Sequence, residues 1–249
     1  MTAEVEVVGI VVPARNEEDL LPAALRALDR AAQPVLRRGV VVDLLVVADS
    51  CADATVEVAR SVGVAVLEVS VGAVGPARAA GFRALLKRHQ GTPRARFWLA
   101  STDADSRVPA NWLVGQLALA AAGADLVVGT VAVDDWSSHP PHVQARWRAG
   151  YDPRDGHGHV HGANVGARAD AYVEVGGFAA LERDEDVALV AALAHRRVLR
   201  TGAIPVLTSA RPRSRAGGGF ADHLAGLAQA PCGQWAGSHG SGSTRAEFT

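Results

Sequence analysis

Four times before residue 106, the sequence runs through a nearly unbroken apolar stretch and then stops on polar residues. Residues 5–12 lead into Pro13-Ala14-Arg15-Asn16-Glu17, and residues 40–47 lead to Asp49. Residues 64–69 lead into the loop 72–78, and residues 97–100 into Ser101-Thr102-Asp103-Ala104-Asp105. Runs this short and this apolar, bounded by turn residues, are strands buried on both faces. Between them lie helical spacings: Leu21, Ala24, Leu25, Leu28 and Ala32, then Val58, Ala59 and Val62, then residues 76–89. Alternating buried strands and helices specify an α/β fold with a mostly parallel, Rossmann-like sheet and right-handed crossovers. Asn16 is placed to cap the first helix and Asp53 the second.

The order continues with Pro109 at the first position of a helix over 110–122 and a strand over 125–133. Residues 136–158 contain Pro140, Pro141, Pro153 and several Gly and His, and predict a long, partly helical insertion. A strand over 160–167, helices over 169–175 and 186–196, and a strand-like run over 204–209 follow. No repeat or linker divides the chain, so a single domain over 1–230 is expected. Residues 231–249 are expected to form a flexible tail, rich in Gly, Ser and Thr from 237 onward.

Composition narrows the function classes. Lys and Arg total 25 against 26 Asp and Glu, for a net charge of −1, which removes the bulk electrostatic case for nucleic-acid or anionic-membrane binding. Lys87 is the one lysine, and arginine, with its fixed donor fork, otherwise supplies the positive charge. The two cysteines, Cys51 and Cys232, form neither a disulfide framework nor a metal pair. The first residues lack the basic start of a secretory signal, and the longest apolar stretch, 112–133, is interrupted by Gln116 and Asp125. A cytoplasmic protein without an integral membrane segment is the expectation.

Ligands of open α/β sheets bind at the carboxyl ends of the strands. The polar residues of this chain concentrate there. Asp103 and Asp105 flank the small Ala104, so two hard oxygen ligands can reach one Mg²⁺ or Mn²⁺ and leave positions open for phosphate. The same pair also reads as an Asp-rich turn capping the next helix.

Seven short motifs in this order resemble glycosyltransferase family 2: Val-Val-Pro-Ala-Arg-Asn-Glu-Glu (11–18), Val-Val-Ala-Asp-Ser-Cys-Ala-Asp-Ala-Thr (46–55), Gly-Pro-Ala-Arg-Ala-Ala-Gly (75–81), Thr-Asp-Ala-Asp (102–105), Gly-Ala-Asn-Val-Gly-Ala-Arg (162–168), Val-Gly-Gly-Phe (175–178) and Glu-Asp (185–186). The second motif differs from many members in carrying Ser-Cys after Asp49, and the third in carrying Ala79 where Asn is common. The resemblance covers residues 5–190 and implies a GT-A fold, with a nucleotide-binding half over about 1–107 and an acceptor half over 108–230. It implies transfer of a sugar from a UDP- or GDP-linked donor, with Mn²⁺ or Mg²⁺ at a DxD motif and inversion at the anomeric carbon.

Carried onto this sequence, the resemblance places Pro13, Ala14, Arg15 and Glu17 against base and ribose, with Glu17 on a ribose hydroxyl. Asp49 would accept from a base ring N–H, and Arg78 would lie beside the nucleotide. Asp103, with Ala104, would approach the ribose side, and Asp105 would bind the metal, with Asp103 as its neighbour. Asp186 aligns with the general base, and Asp184 and Glu185 are close rivals. Arg211, of the group Arg211, Arg213 and Arg215, would face the diphosphate. His161 and Asn164 border the acceptor, for which a small molecule or glycan is expected. His157, His159 and His161 alternate, so on a strand they would share a face and could hold Zn²⁺. Other classes compatible with the pattern are a nucleotidyltransferase, a non-catalytic sugar-nucleotide-binding protein and a His-based metal hydrolase. A nucleotidyltransferase usually carries a Gly-rich basic loop where this chain has Pro-Ala-Arg-Asn-Glu.

Overall fold

The computed structural model describes residues 3–133, 135–212, 215 and 220–229. The expected tail over 231–249 and Arg213 lie outside these. The chain forms one α/β domain around a single eight-stranded sheet, in the order β3-β2-β1-β4-β7-β6-β8-β5. The strands are β1 (Val7–Ala14), β2 (Val41–Asp49), β3 (Ala65–Val69), β4 (Phe97–Ser101), β5 (Ser106–Arg107), β6 (Leu126–Val133), β7 (Val165–Arg168) and β8 (Val198–Thr208). The helices are α1 (Leu21–Leu36), α2 (Thr55–Ser61), α3 (Val74–Arg88), α4 (Trp112–Ala121), α5 (Pro141–Gly150), α6 (Ala169–Glu174), α7 (Glu185–Ala192) and α8 (Phe220–Gln229).

The first four major strands are all parallel, β1 pairing with both β2 and β4, and β2 with β3. Every residue of β1 is buried, as its apolar run requires of a strand between two helical layers. One core packs Leu21, Leu25 and Leu28 of α1 with Trp112 and Leu113 of α4. The other packs Phe82 and Leu85 of α3 with Tyr172, Phe178 and Leu189. Burying a side chain such as Leu21 or Leu28 stabilises the fold by about 1.5–3 kcal/mol.

The second half departs from the parallel pattern. β7 runs antiparallel to both β4 and β6, while β6 and β8 are parallel with a register shift between Gly129 and Val131. Buried Asn164 fills that irregularity, donating through Nδ2 to Thr130 O and Ile204 O, both at 2.8 Å, and accepting from Trp112 Nε1 at 2.8 Å. Its polar atoms are all spent on the core, so the expected acceptor contact of Asn164 is corrected to a structural one. Arg168, in the same motif, donates to the carbonyls of Ala95, Ala120 and Ala124 and holds the opposite end of β7.

Two expected caps also change. α1 begins at Leu21, beyond Asn16, which adopts a left-handed φ of 55° and instead accepts from Ala52 N–H at 2.7 Å. α4 begins at Trp112, so Pro109 precedes it; its carbonyl accepts from Trp112 N–H. α8 has no counterpart in the sequence reading; it packs Leu224 and Leu227 against Val143 and Trp147 of α5. Among the described residues no helix is long and apolar enough to cross a membrane.

Candidate active site

The loops after β1 and β2 are tied together by side-chain bonds. Glu17 N–H donates to Thr55 Oγ1 at 2.7 Å, Glu18 N–H to Asp53 Oδ2 at 3.1 Å, and Ala54 N–H to Glu18 Oε2 at 2.9 Å. Cys51 accounts for its own place in the second motif: Sγ accepts from Asn16 N–H and donates to Ala14 O, both at 3.4 Å. Asp49 Oδ1 accepts from Val71 and Gly72 N–H at 2.9 and 3.1 Å, which fixes the loop after β3. Oδ2 is left out of these bonds.

These strand ends open on one cavity of about 640 Å³. All the site residues selected from the sequence line it except Asn164: the β1 loop through Glu17, Asp49, Arg78, Asp103, Ala104, Asp105, His161, Glu185, Asp186 and Arg211. They come from segments as far apart as Glu17 and Arg211, 194 residues, and the acids of the first half are joined because parallel strands end on the same edge.

Arg78 is the electrostatic centre. Its guanidinium, 3% exposed, pairs with Glu185 Oε1 and Asp103 Oδ1, and its Nε donates to Ser101 Oγ at 3.2 Å. Burial works against its charge, but the carboxylates of Asp103 and Glu185 outweigh burial and hold its pKa above the usual value. Two glycines admit this contact. A Cβ on Gly162 would collide with the Arg78 guanidinium, and one on Gly75 would come within 2.7 Å of Glu185 Cγ. Glu185 is itself buried, and burial pushes its pKa up while Arg78 pulls it down.

Asp186, the next residue, is placed differently. Its side chain is half-buried, and Oδ2 accepts from Gly162 N–H at 2.6 Å. The preceding Asp184 adopts a left-handed φ of 58° that turns the chain into α7, and the two acids, as successive positions on that helix, point apart. Glu185 therefore points to Arg78, and Asp186 to the cavity rim at Gly162.

The third feature is Arg211, which joins both sides of the cavity. It reaches Glu17 Oε1 at 2.7 Å and Asp105 Oδ2 at 2.9 Å, and Arg215 Nε stands 4.0 Å from Glu17. Burial raises the pKa of both carboxylates and Arg211 opposes the shift. Among the described residues no group of three or more His, Cys, Asp or Glu could by itself hold a metal ion. Asp105 and Asp103 nevertheless fit a hard divalent cation, because both are carboxylates on one wall and Asp105 already neutralises a cation, the Arg211 guanidinium. Further coordination would have to come from a ligand's oxygens and water.

The histidines do share a face, with rings 5.8 and 6.1 Å apart and 20–21° from parallel. Their nitrogens diverge, however. His159 Nε2 accepts from Asp152 N–H at 3.0 Å and His161 Nε2 meets Tyr151 Oη at 3.0 Å, so the three rings form a stack, and among the described residues they make no metal-holding group. Beside that stack the cavity is lined by Trp147, Tyr151, Phe220 and His223, which the sequence reading missed. Trp147 and Tyr151 are four residues apart, one turn of helix, and that spacing inside the Pro-rich insertion was the available signal.

A family model for glycosyl transferase family 2 matches residues 9–184. No curated protein matches the chain. Among solved structures, the mannosyltransferase from Pyrobaculum calidifontis in complex with GDP-Man and Mn²⁺ has a TM-score of 0.60 at 17% identity, covering 86% of this chain and 59% of that one. S. aureus TarS 1–349 in complex with UDP has a TM-score of 0.58 at 15% identity, covering 82% and 61%. Glucosyl-3-phosphoglycerate synthase from Mycobacterium tuberculosis in complex with Mn²⁺, UDP and glucosyl-3-phosphoglycerate has a TM-score of 0.51 at 17% identity, covering 90% and 76%. The fold is thus the GT-A fold, and the chain spans about three-fifths of the length of the first two.

Proposed function

The chain belongs to glycosyl transferase family 2, and from that premise we propose that it transfers a sugar from a UDP- or GDP-linked donor to an acceptor hydroxyl, with inversion. The observation that carries this reading is the division of labour between adjacent acids. Glu185 is committed to buried Arg78, whereas Asp186 hangs from Gly162 N–H at the cavity rim. Asp186 is then the general base and Glu185 a positioning residue for Arg78.

In the reaction the acceptor oxygen attacks the anomeric carbon from the face opposite the diphosphate. Its proton passes to the Asp186 carboxylate, a new carbon–oxygen bond forms, and the sugar–phosphate bond breaks with its electron pair leaving on the diphosphate. Asp49, Glu17 and the Pro13–Arg15 loop receive base and ribose, and an Asp49 oxygen that accepts from a ring N–H favours uracil or guanine. Residues 1–107 supply these donor groups and residues 108–230 the base and acceptor wall. Asp105, with Asp103 beside it, would hold Mn²⁺ or Mg²⁺, which supplies positive charge against the leaving diphosphate. Arg211, paired with Asp105 and Glu17, would release Asp105 to such an ion and offer its guanidinium to the diphosphate. UDP, GDP-Man and Mn²⁺ in structures of the same fold support the donor class.

The test is turnover. Incubation with UDP- and GDP-sugars and Mn²⁺ should release nucleoside diphosphate, and Asp186→Asn should keep donor affinity within about twofold while losing roughly 10³-fold in transfer rate. Normal transfer by Asp186→Asn would move the base elsewhere, and absence of both binding and release across the donor panel would remove the reading.

A further inference from the structure

The cavity has a second end, chemically unlike the first. Around Asp105 it is lined by carboxylates and guanidinium groups; beyond Gly162 it is lined by rings and small apolar side chains. Tyr151 lies between Trp147 and His159, each with its centroid 4.1 Å away and its ring within 22° of parallel. Phe220 and His223 stand edge-on to Trp147 at 5.0 and 5.7 Å. Three separate segments therefore converge to make one apolar wall: α5, the stretch after it, and α8.

The charge at this end is as informative as its shape. Trp147, Tyr151 and Phe220, which make the wall, bring no cation to it, and the described arginines of the cavity, Arg15, Arg78, Arg183, Arg211 and Arg215, come from other segments. Burial drives the His161 pKa down to about 3 and also lowers that of His223, so neither supplies a cation near neutral pH. Tyr151 Oη accepts from Val131 N–H at 2.8 Å, which leaves its hydroxyl hydrogen for His161 Nε2 and puts the imidazole proton on Nδ1. Asp186 and Asp222 also line the cavity. A carboxylate or phosphate placed against this wall would lose hydration to the rings of Trp147, Tyr151 and Phe220 without a cation from them in exchange for its charge. An apolar ring would instead bury its surface and meet ring edges with its face.

We infer that this end is the acceptor subsite, and that the acceptor is an uncharged alcohol or phenol carried on an apolar ring, seated against the wall that Trp147 and Phe220 form together, with its hydroxyl directed to Asp186. The inference rests on the donor reading of the charged end. It separates this chain from an enzyme whose acceptor is an anionic alcohol such as a phosphoglycerate.

The experiment is ligand-observed NMR on the full chain. It uses 2-phenylethanol and 4-methylphenol as neutral ring alcohols, 3-phosphoglycerate and D-glycerate as anionic ones, and UDP and GDP with Mn²⁺ in parallel samples. The neutral probes should bind at least about tenfold more tightly than the anionic ones. Phe220→Ser should weaken them about tenfold while nucleotide binding holds within twofold, and His223→Arg, which adds a cation to the wall, should shift the preference towards the anionic probes. Tighter binding of the anionic probes, or ring-alcohol binding unchanged in Phe220→Ser, overturns the inference. Nucleotide binding reads the donor assignment separately: its loss in the wild-type chain with ring-alcohol binding intact removes the donor and not the wall.

Discussion

The two halves of the sheet build their ends of the cavity by different rules. In the parallel half, β3-β2-β1-β4, the ends of β1, β2 and β4 each bring an acid to the same edge, so Glu17, Asp49 and Asp103 line one cavity without being neighbours in sequence. In the other half, β7 reverses direction, β6 is irregular, and the wall comes from α5 and α8, which lie outside the sheet. The first half positions charge by topology; the second positions apolar surface by packing. Charge is correspondingly costly to disturb in the first half, and surface is what matters in the second.

The sharpest way to break this contrast is Arg78→Leu. It leaves Glu185 and Asp103 without their shared cation, and loss of one member of a buried ion pair costs about 3–5 kcal/mol. Urea unfolding should show that loss, and an unchanged midpoint would mean the charged end is less tightly coupled than its geometry implies. A smaller effect is expected at Arg211, which is about a quarter exposed. Arg211→Ala should cost about 1–3 kcal/mol in metal-free buffer, and added Mn²⁺ should restore much of it, because an ion then replaces the guanidinium at Asp105. Thermal unfolding with and without Mn²⁺ reads both terms.

The smallest expected effect belongs to the aromatic end and depends on pH. His161 titrates near 6.5 when unfolded and near 3 when folded, because burial disfavours its charged form. Below pH 6.5 the unfolded chain takes up a proton that the folded chain refuses, so stability present above 6.5 is lost as pH falls towards 3. Between pH 7.5 and 5.5 the loss is about 1.4 kcal/mol. The buried carboxylates Glu17, Asp105 and Glu185, all raised, act in the opposite sense, adding stability as pH falls through their folded pKa values, and they do so alike with and without the imidazole. His161→Gln should therefore flatten the pH dependence of the unfolding midpoint over that window, and an unchanged slope would place the imidazole in water.

The same contrast explains how much could be read before the structure. Apolar runs ending in Asp or Glu are local signals, so the parallel strands, their edge and the residues Glu17, Asp49, Asp103 and Asp105 were legible. The separate fates of Glu185 and Asp186 were not, since they turn on how α7 is set against the cavity and on which acid Arg78 reaches. Asn164 looked like a site residue because a polar side chain in an apolar segment has two explanations. Only the irregularity in β6 shows that its amide serves stranded carbonyls. The ring wall was illegible for a further reason. Beyond the one-turn spacing of Trp147 and Tyr151 nothing local marks these rings, and their meeting with Phe220 and His223 depends on how α8 packs on α5.

The central claim is that the charged end holds a nucleoside diphosphate with a divalent ion at Asp105. Calorimetric titration of UDP and GDP into the wild-type chain and into Asp105→Asn, each with and without Mn²⁺, tests it most directly. The account predicts one site that tightens at least about tenfold with Mn²⁺ in the wild type, and loses that dependence in Asp105→Asn. Nucleotide binding that ignores Mn²⁺, or that keeps its full metal dependence without the Asp105 carboxylate, would contradict it.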